Sequence, residues 1–164
     1  MGHYPVFFPV IAGSPGEARE RGMAFVESYM SERDGKLFDF DYYEAESDDG
    51  IIDLMTPEGI TYLEELWDEY CYFKVEHIQK IQNWFGNLTA EKIAESMRDD
   101  KADWLYNANV LGSYDGHNVR LYDNNLNGIQ DGSDFKGLIQ VIESMKKELT
   151  GDDKVFLTKV QGHF

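Results

Sequence analysis

The opening 45 residues constrain this chain's fold more than any other stretch. Tyr4–Ala12 (YPVFFPVIA) is an apolar, β-rich run whose two prolines suit a sheet edge or a bulge. Ser14-Pro15-Gly16-Glu17 follows as a helix start. Ser14 can cap, Pro15 fits the first helical position and Glu17 completes a capping box. The spacing of Ala18, Met23, Phe25, Val26 and Met30 predicts a helix to about Ser31, ended by Asp34-Gly35. Leu37–Ala45 (LFDFDYYEA) then alternates: Phe38, Phe40 and Tyr42 share one face, and Asp39, Asp41 and Tyr43 the other. Strand, capped helix and strand in this order predict β-α-β, with parallel, adjacent strands joined by a right-handed crossover.

The remainder reads as further helices and short strands. Ser47-Asp48-Asp49-Gly50 is a turn signal, Ile51–Met55 a short strand, and Thr56-Pro57 the start of a long helix to about Phe85, with Gly86 closing it. Ile60, Leu63, Trp67, Tyr70, Cys71, Ile78, Ile81 and Phe85 fall on one stripe of that helix. Lys74 interrupts the stripe. Either the helix breaks near Tyr72, or Lys74 snorkels past an edge, or it meets a buried carboxylate. A short helix follows over Thr89–Met97, capped by Thr89. Asp115-Gly116 signals a hairpin between Trp104–Tyr114 and His117–Tyr122. Ser133 caps a helix to about Leu149, and Val155–Val160 is a last strand that should join the first sheet. The expected class is α+β: one domain over 1–164, with about five strands in a mixed sheet backed by helices. The helical segment 57–98 is expected as an insertion or second layer.

Charge is the strongest functional lead. The chain carries a formal −16, and residues 35–70 hold one basic and twelve acidic side chains, net −11. The rest is nearly balanced. A surface built only for solubility intersperses both signs. Such a charge opposes direct binding to nucleic acid, whose phosphates call for Lys and Arg. A run long enough to span a membrane and a secretory leader are both missing from the pattern, and Val6 stands where a myristoylation signal needs Ser or Thr. Cys71 is the single cysteine, which excludes an intrachain disulfide or a cysteine zinc site. These features predict an acidic cytoplasmic protein.

The opening strand and Pro-initiated helix, the run Phe38-Asp39-Phe40-Asp41-Tyr42-Tyr43-Glu44, and the ending Val155–Phe164 together resemble a loose group of small uncharacterised proteins of bacteria and their phages. The resemblance covers about a third of the chain. In that group the aromatic strand commonly continues into Gly-Gly-Arg-Trp, whereas Ala45-Glu46-Ser47-Asp48 stands here, so no role of that segment carries over. The resemblance implies a phage or mobile-element origin and no activity.

Three constellations bear on function. The first is the acidic segment itself: Asp39, Asp41, Glu44, Glu46, Asp48, Asp49, Asp53, Glu58, Glu65, Asp68 and Glu69 are expected to form a negative face for a basic protein surface. The interleaved Phe38, Phe40, Tyr42, Tyr43, Tyr62 and Trp67 could anchor it, although core packing competes for them. A nucleic-acid mimic that inhibits a host nucleic-acid-binding defence protein, acting in the infected host's cytoplasm, is the most concrete version. The bland alternative is a solvated face. The second constellation is Asp123–Asp134, which follows a calcium loop at Asp123, Asn125, Asn127, Gly128, Asp131 and Asp134. Gln130 stands where that loop wants an apolar residue, and Asp134 is short for bidentate reach. A small Ca2+-binding domain is therefore the alternative function, and an Asn/Gly-rich turn its ordinary counterpart. The third is His3, His77, His117 and His163, none with a metal partner at close spacing. Neither a nucleophile elbow nor a phosphate loop is evident, so an enzyme of unknown chemistry stands last, with no catalytic residue nominated.

Overall fold

The structure is a computed structural model that describes residues 3–32, 42–45, 50–98 and 120–163. Its elements in chain order are β1 (His3–Ala12), α1 (Pro15–Glu32), β2 (Tyr42–Ala45), β3 (Ile52–Asp53), α2 (Pro57–Gly86), α3 (Ala90–Arg98), β4 (Arg120–Leu121), α4 (Gly132–Lys147) and β5 (Lys154–His163). The class is α+β. The chain divides into two compact units: residues 1–69 with 118–164, and residues 70–117. The division falls inside α2, so the first half of that helix belongs to the sheet-bearing unit.

In the first unit, β5 and β1 pair antiparallel along their full lengths, from His3 opposite His163 to Ala12 opposite Lys154. β2 pairs antiparallel with the end of β5, Tyr42 opposite His163 and Ala45 opposite Val160. β4 adds to β1 in parallel, Val6 opposite Arg120. The two residues of β3 pair with Leu157 and Phe156 on the same edge of β5 as β2. The sheet is mixed, but among the described residues only β1, β2 and β5 are strands of four residues or more, fewer than the five expected. β1 and β2 are parallel to one another, since both oppose β5, yet they are not neighbours. The expected adjacency is wrong, since β5 stands between them: among the described residues ten register pairs bind β1 to β5, and four bind β2 to it. Neighbourhood in sequence lost to the longer apolar ladder. Residues 104–119, and with them most of the expected hairpin, lie outside the described residues.

Pro5 and Pro9 sit in β1 without breaking its main ladder. The Tyr122 N–H donates to the Phe7 carbonyl at 2.8 Å, so the odd-numbered residues of β1 aim their backbone at β4 and away from β5. Past Leu121 no strand among the described residues pairs with that side, so the missing N–H of Pro9 costs little. The Ile11 carbonyl on this side accepts instead from the Arg21 guanidinium, at 2.8 Å.

Helices cover both faces, which explains why β1 reads as a continuous apolar run rather than an alternation. Val6 and Phe8 pack with Val26, Met23 and Phe25 of α1 on one face. Phe7, Val155 and Leu157 pack on the other with Leu63 and Leu66 of α2 and Leu138 and Ile142 of α4. α1 lies hard against β5: a Cβ at Gly22 would stand 2.8 Å from the fully buried Thr158, whose hydroxyl has no hydrogen-bond partner among the described residues. The Ser14 cap forms, accepting from Glu17 N–H at 3.2 Å. Glu17 reaches one residue further back than a capping box requires and accepts from Gly13 N–H at 2.7 Å. That bond, with the Arg21 charge, holds its carboxyl below the usual carboxylate range.

In the second unit, α2 continues unbroken through Tyr72, and Thr89 caps α3 by accepting from Lys92 N–H at 3.2 Å. Lys74 is half-buried, and its ammonium lies over the Tyr70 ring, 5.9 Å from the centroid. Of its stripe neighbours only Tyr70 is buried. Cys71 and Ile81 are partly exposed, and Ile78 and Phe85 stand 54% and 50% exposed. The spacing predicts burial of Trp67, Tyr70, Cys71, Ile78 and Ile81 around Lys74, and that expectation fails for all but Tyr70.

Candidate functional site

The first half of α2 is held by the turn that precedes it. Thr56 Oγ1 donates to the Asp53 carbonyl at 3.0 Å and accepts from Gly59 N–H at 3.1 Å, capping the helix. Asp53 Oδ1 accepts from Met55 N–H at 2.9 Å, and Oδ2 meets Lys154 Nζ of β5 at 2.7 Å. Gly59 is required here, because a Cβ would fall 2.0 Å from the Asp53 carbonyl oxygen. Leu63 and Leu66 then enter the core, and Tyr62 meets Phe7 edge-on at 6.5 Å. Trp67 stacks on Phe135 of α4 at 5.0 Å with 10° between the planes.

Anchoring the apolar face against β1 and α4 turns the acidic face outward. Glu58, Glu64, Glu65, Asp68 and Glu69 are all exposed, and none forms an ion pair among the described residues. At about 100° per residue, Glu58, Glu65 and Glu69 align within roughly 40° of each other. Along the axis they span about 16 Å. Glu64 with Asp68, and Glu65 with Glu69, are like-charge pairs four residues apart. The cluster registers on a neighbour: burial, then the charges of Glu69 and Glu65, push the Tyr62 hydroxyl above its usual pKa.

The other expected face residues divide into three groups. Asp39, Asp41, Glu46, Asp48 and Asp49 lie outside the described residues, as do Phe38 and Phe40. Glu44 lies in β2, in register with Gln161. Asp53 is a structural residue, bound to Lys154 and to the turn before α2, and does not belong to an exposed face. Tyr62 and Trp67 are committed to the core rather than to a partner. Glu64, one of the twelve acidic residues of the segment, is exposed beside the other α2 carboxylates.

The Asp123–Asp134 segment is arranged around backbone donors. Asp123 accepts from Asn125 N–H at 2.8 Å and Asn127 N–H at 2.9 Å through Oδ1, and from the Asn127 side chain at 2.9 Å through Oδ2. Asp131, not Ser133, caps α4, accepting from Ser133 N–H at 2.7 Å and Asp134 N–H at 3.0 Å. Asp134 accepts from Gln130 N–H at 3.0 Å. Leu126 adopts the left-handed conformation, φ 59°, and is buried, so its side chain pins the loop against the core. The three carboxylates are taken up by backbone N–H groups, Asp123 in the turn and Asp131 and Asp134 at the start of α4. Among the described residues no group of three or more His, Cys, Asp or Glu side chains could hold a metal ion. A shallow cleft of about 230 Å³ opens here, with Ile129, Leu138 and Val141 among its apolar walls and Asp123, Ser133 and Asp134 among its polar ones.

Of the histidines, His77 is partly buried in the second half of α2. His3 and His163 occupy paired positions of β1 and β5, and His117 lies outside the described residues. No helix among the described residues is long and apolar enough to cross a membrane. Comparison with protein-family models, with curated proteins and with solved structures gives no match to this chain.

Proposed function

We propose that this chain is a non-enzymatic binding protein that docks the acidic face of α2 on a basic surface of a partner protein. One observation carries the reading: five exposed carboxylates on the first half of α2 have no cation among the described residues to offset them. Like charges four residues apart destabilise a helix by about 0.2–0.5 kcal/mol per pair. Glu64 with Asp68 and Glu65 with Glu69 carry that cost, and no ion pair among the described residues uses them. A basic partner would recover it on binding. The long-range field would speed encounter, and the rigid, capped helix would hold the charges in register without ordering a flexible segment. A partner surface shaped for a phosphate backbone is the most concrete fit. The protein would then be an inhibitor of a nucleic-acid-binding protein, encoded by a phage or mobile element as the sequence resemblance implies.

The test uses Glu58→Lys, Glu65→Lys, Asp68→Lys and Glu69→Lys together. The variant should keep or raise its Tm while capture of a basic protein from the native host is lost. For the wild type, association should slow steeply as salt rises, and nucleic acid should compete for the captured partner. Unchanged capture by a folded variant overturns the proposal.

A further inference from the structure

We draw no further inference here: the strongest candidate, the exposed apolar stripe of Tyr72, Val75, Ile78 and Phe85 on the second half of α2, carries nothing because nothing among the described residues shows what covers it.

Discussion

The two halves of α2 have similar sequence patterns and different fates. In Pro57–Glu69 the apolar residues are spent on the core: Leu63 is fully buried, Leu66 nearly so, and Trp67 stacks on α4. The charged side of that half is of one sign, with no ion pair among the described residues. Beyond Tyr70 the apolar residues Tyr72, Val75, Ile78 and Phe85 are half exposed or more, and polar groups find partners along the helix. The Tyr72 hydroxyl donates to Glu76 at 3.0 Å, and Lys74 lies over Tyr70. A 3.6-residue period thus shows that a helix has an apolar side. Whether that side is covered depends on the elements that reach it.

The sharpest way to break this contrast is a pair of truncations. Leu63→Ala should cost about 2–5 kcal/mol in denaturant unfolding, since it empties a site closed by β1, β5 and α4. Ile78→Ala, at a position 54% exposed, should stay within about 0.5 kcal/mol. A loss above about 2 kcal/mol at Ile78 would mean that the second half is covered after all. The glycines at the two ends give the next largest difference. Gly59→Ala drives a methyl into the Asp53 carbonyl, and strain of this kind costs roughly 1–3 kcal/mol or more. Gly86→Ala meets open space and should be neutral or stabilising by up to about 1 kcal/mol. Equal effects at the two glycines would show that α2 does not start where the Thr56 cap places it.

Much of the scaffold was legible from local chemistry. The Ser14 and Thr89 caps, the Pro15 and Pro57 helix starts and the last strand all follow from residues a few positions apart, and the structure contains them. Pairing was not legible. β5 begins 109 positions after β2 ends yet enters between β1 and β2, and no local pattern records which ladder is longest. The same limit governs the acidic segment. Charge counting treated its carboxylates alike, but Asp53 follows a strand register that sets it 2.7 Å from Lys154, while Glu58, Glu65 and Glu69 follow a helix that turns them outward. In the 123–134 loop, Asn and Asp at alternate positions satisfied the calcium pattern. Short polar side chains at that spacing also satisfy backbone N–H groups, and here they do so.

Removing like charge sharpens the comparison at smaller scale. Glu65→Gln with Glu69→Gln should raise stability by a few tenths of a kcal/mol at low salt, and the gain should vanish near 1 M salt, where screening acts within about 3 Å. In the other half, Glu76→Gln weakens an exposed bond to Tyr72 and should lower stability by no more than a few tenths. A loss on neutralising Glu65 and Glu69 would reveal a stabilising role for those carboxylates and would weaken the docking proposal.

The smallest effect is also the most specific, because each half of α2 contains a tyrosine whose hydroxyl titrates high for its own reason. Tyr62 is raised first by burial and then by the charges of Glu69 and Glu65. Tyr72 is raised first by its hydrogen bond to Glu76 and then by that residue's charge. The double variant Glu65→Gln, Glu69→Gln should therefore bring Tyr62 only part of the way back, since burial persists. Glu76→Ala should bring Tyr72 nearly to its usual value, since both leading causes go. Alkaline titration of phenolate absorbance, with Tyr62→Phe and Tyr72→Phe to assign each signal, measures both shifts. The stability linkage has a definite sign. A hydroxyl raised in the fold contributes stability that is complete below its usual value of 10.0 and is lost as pH rises through the higher folded value. Tyr62→Phe should thus flatten the fall in Tm at alkaline pH, while Tyr72→Phe, at an exposed site, should leave it nearly unchanged. Full return of Tyr62 in the double variant would mean that its burial is minor and its place beside Phe7 wrong. No movement at all would mean that Glu65 and Glu69 do not stand beside Tyr62, and the acidic face would lose the geometry on which docking depends.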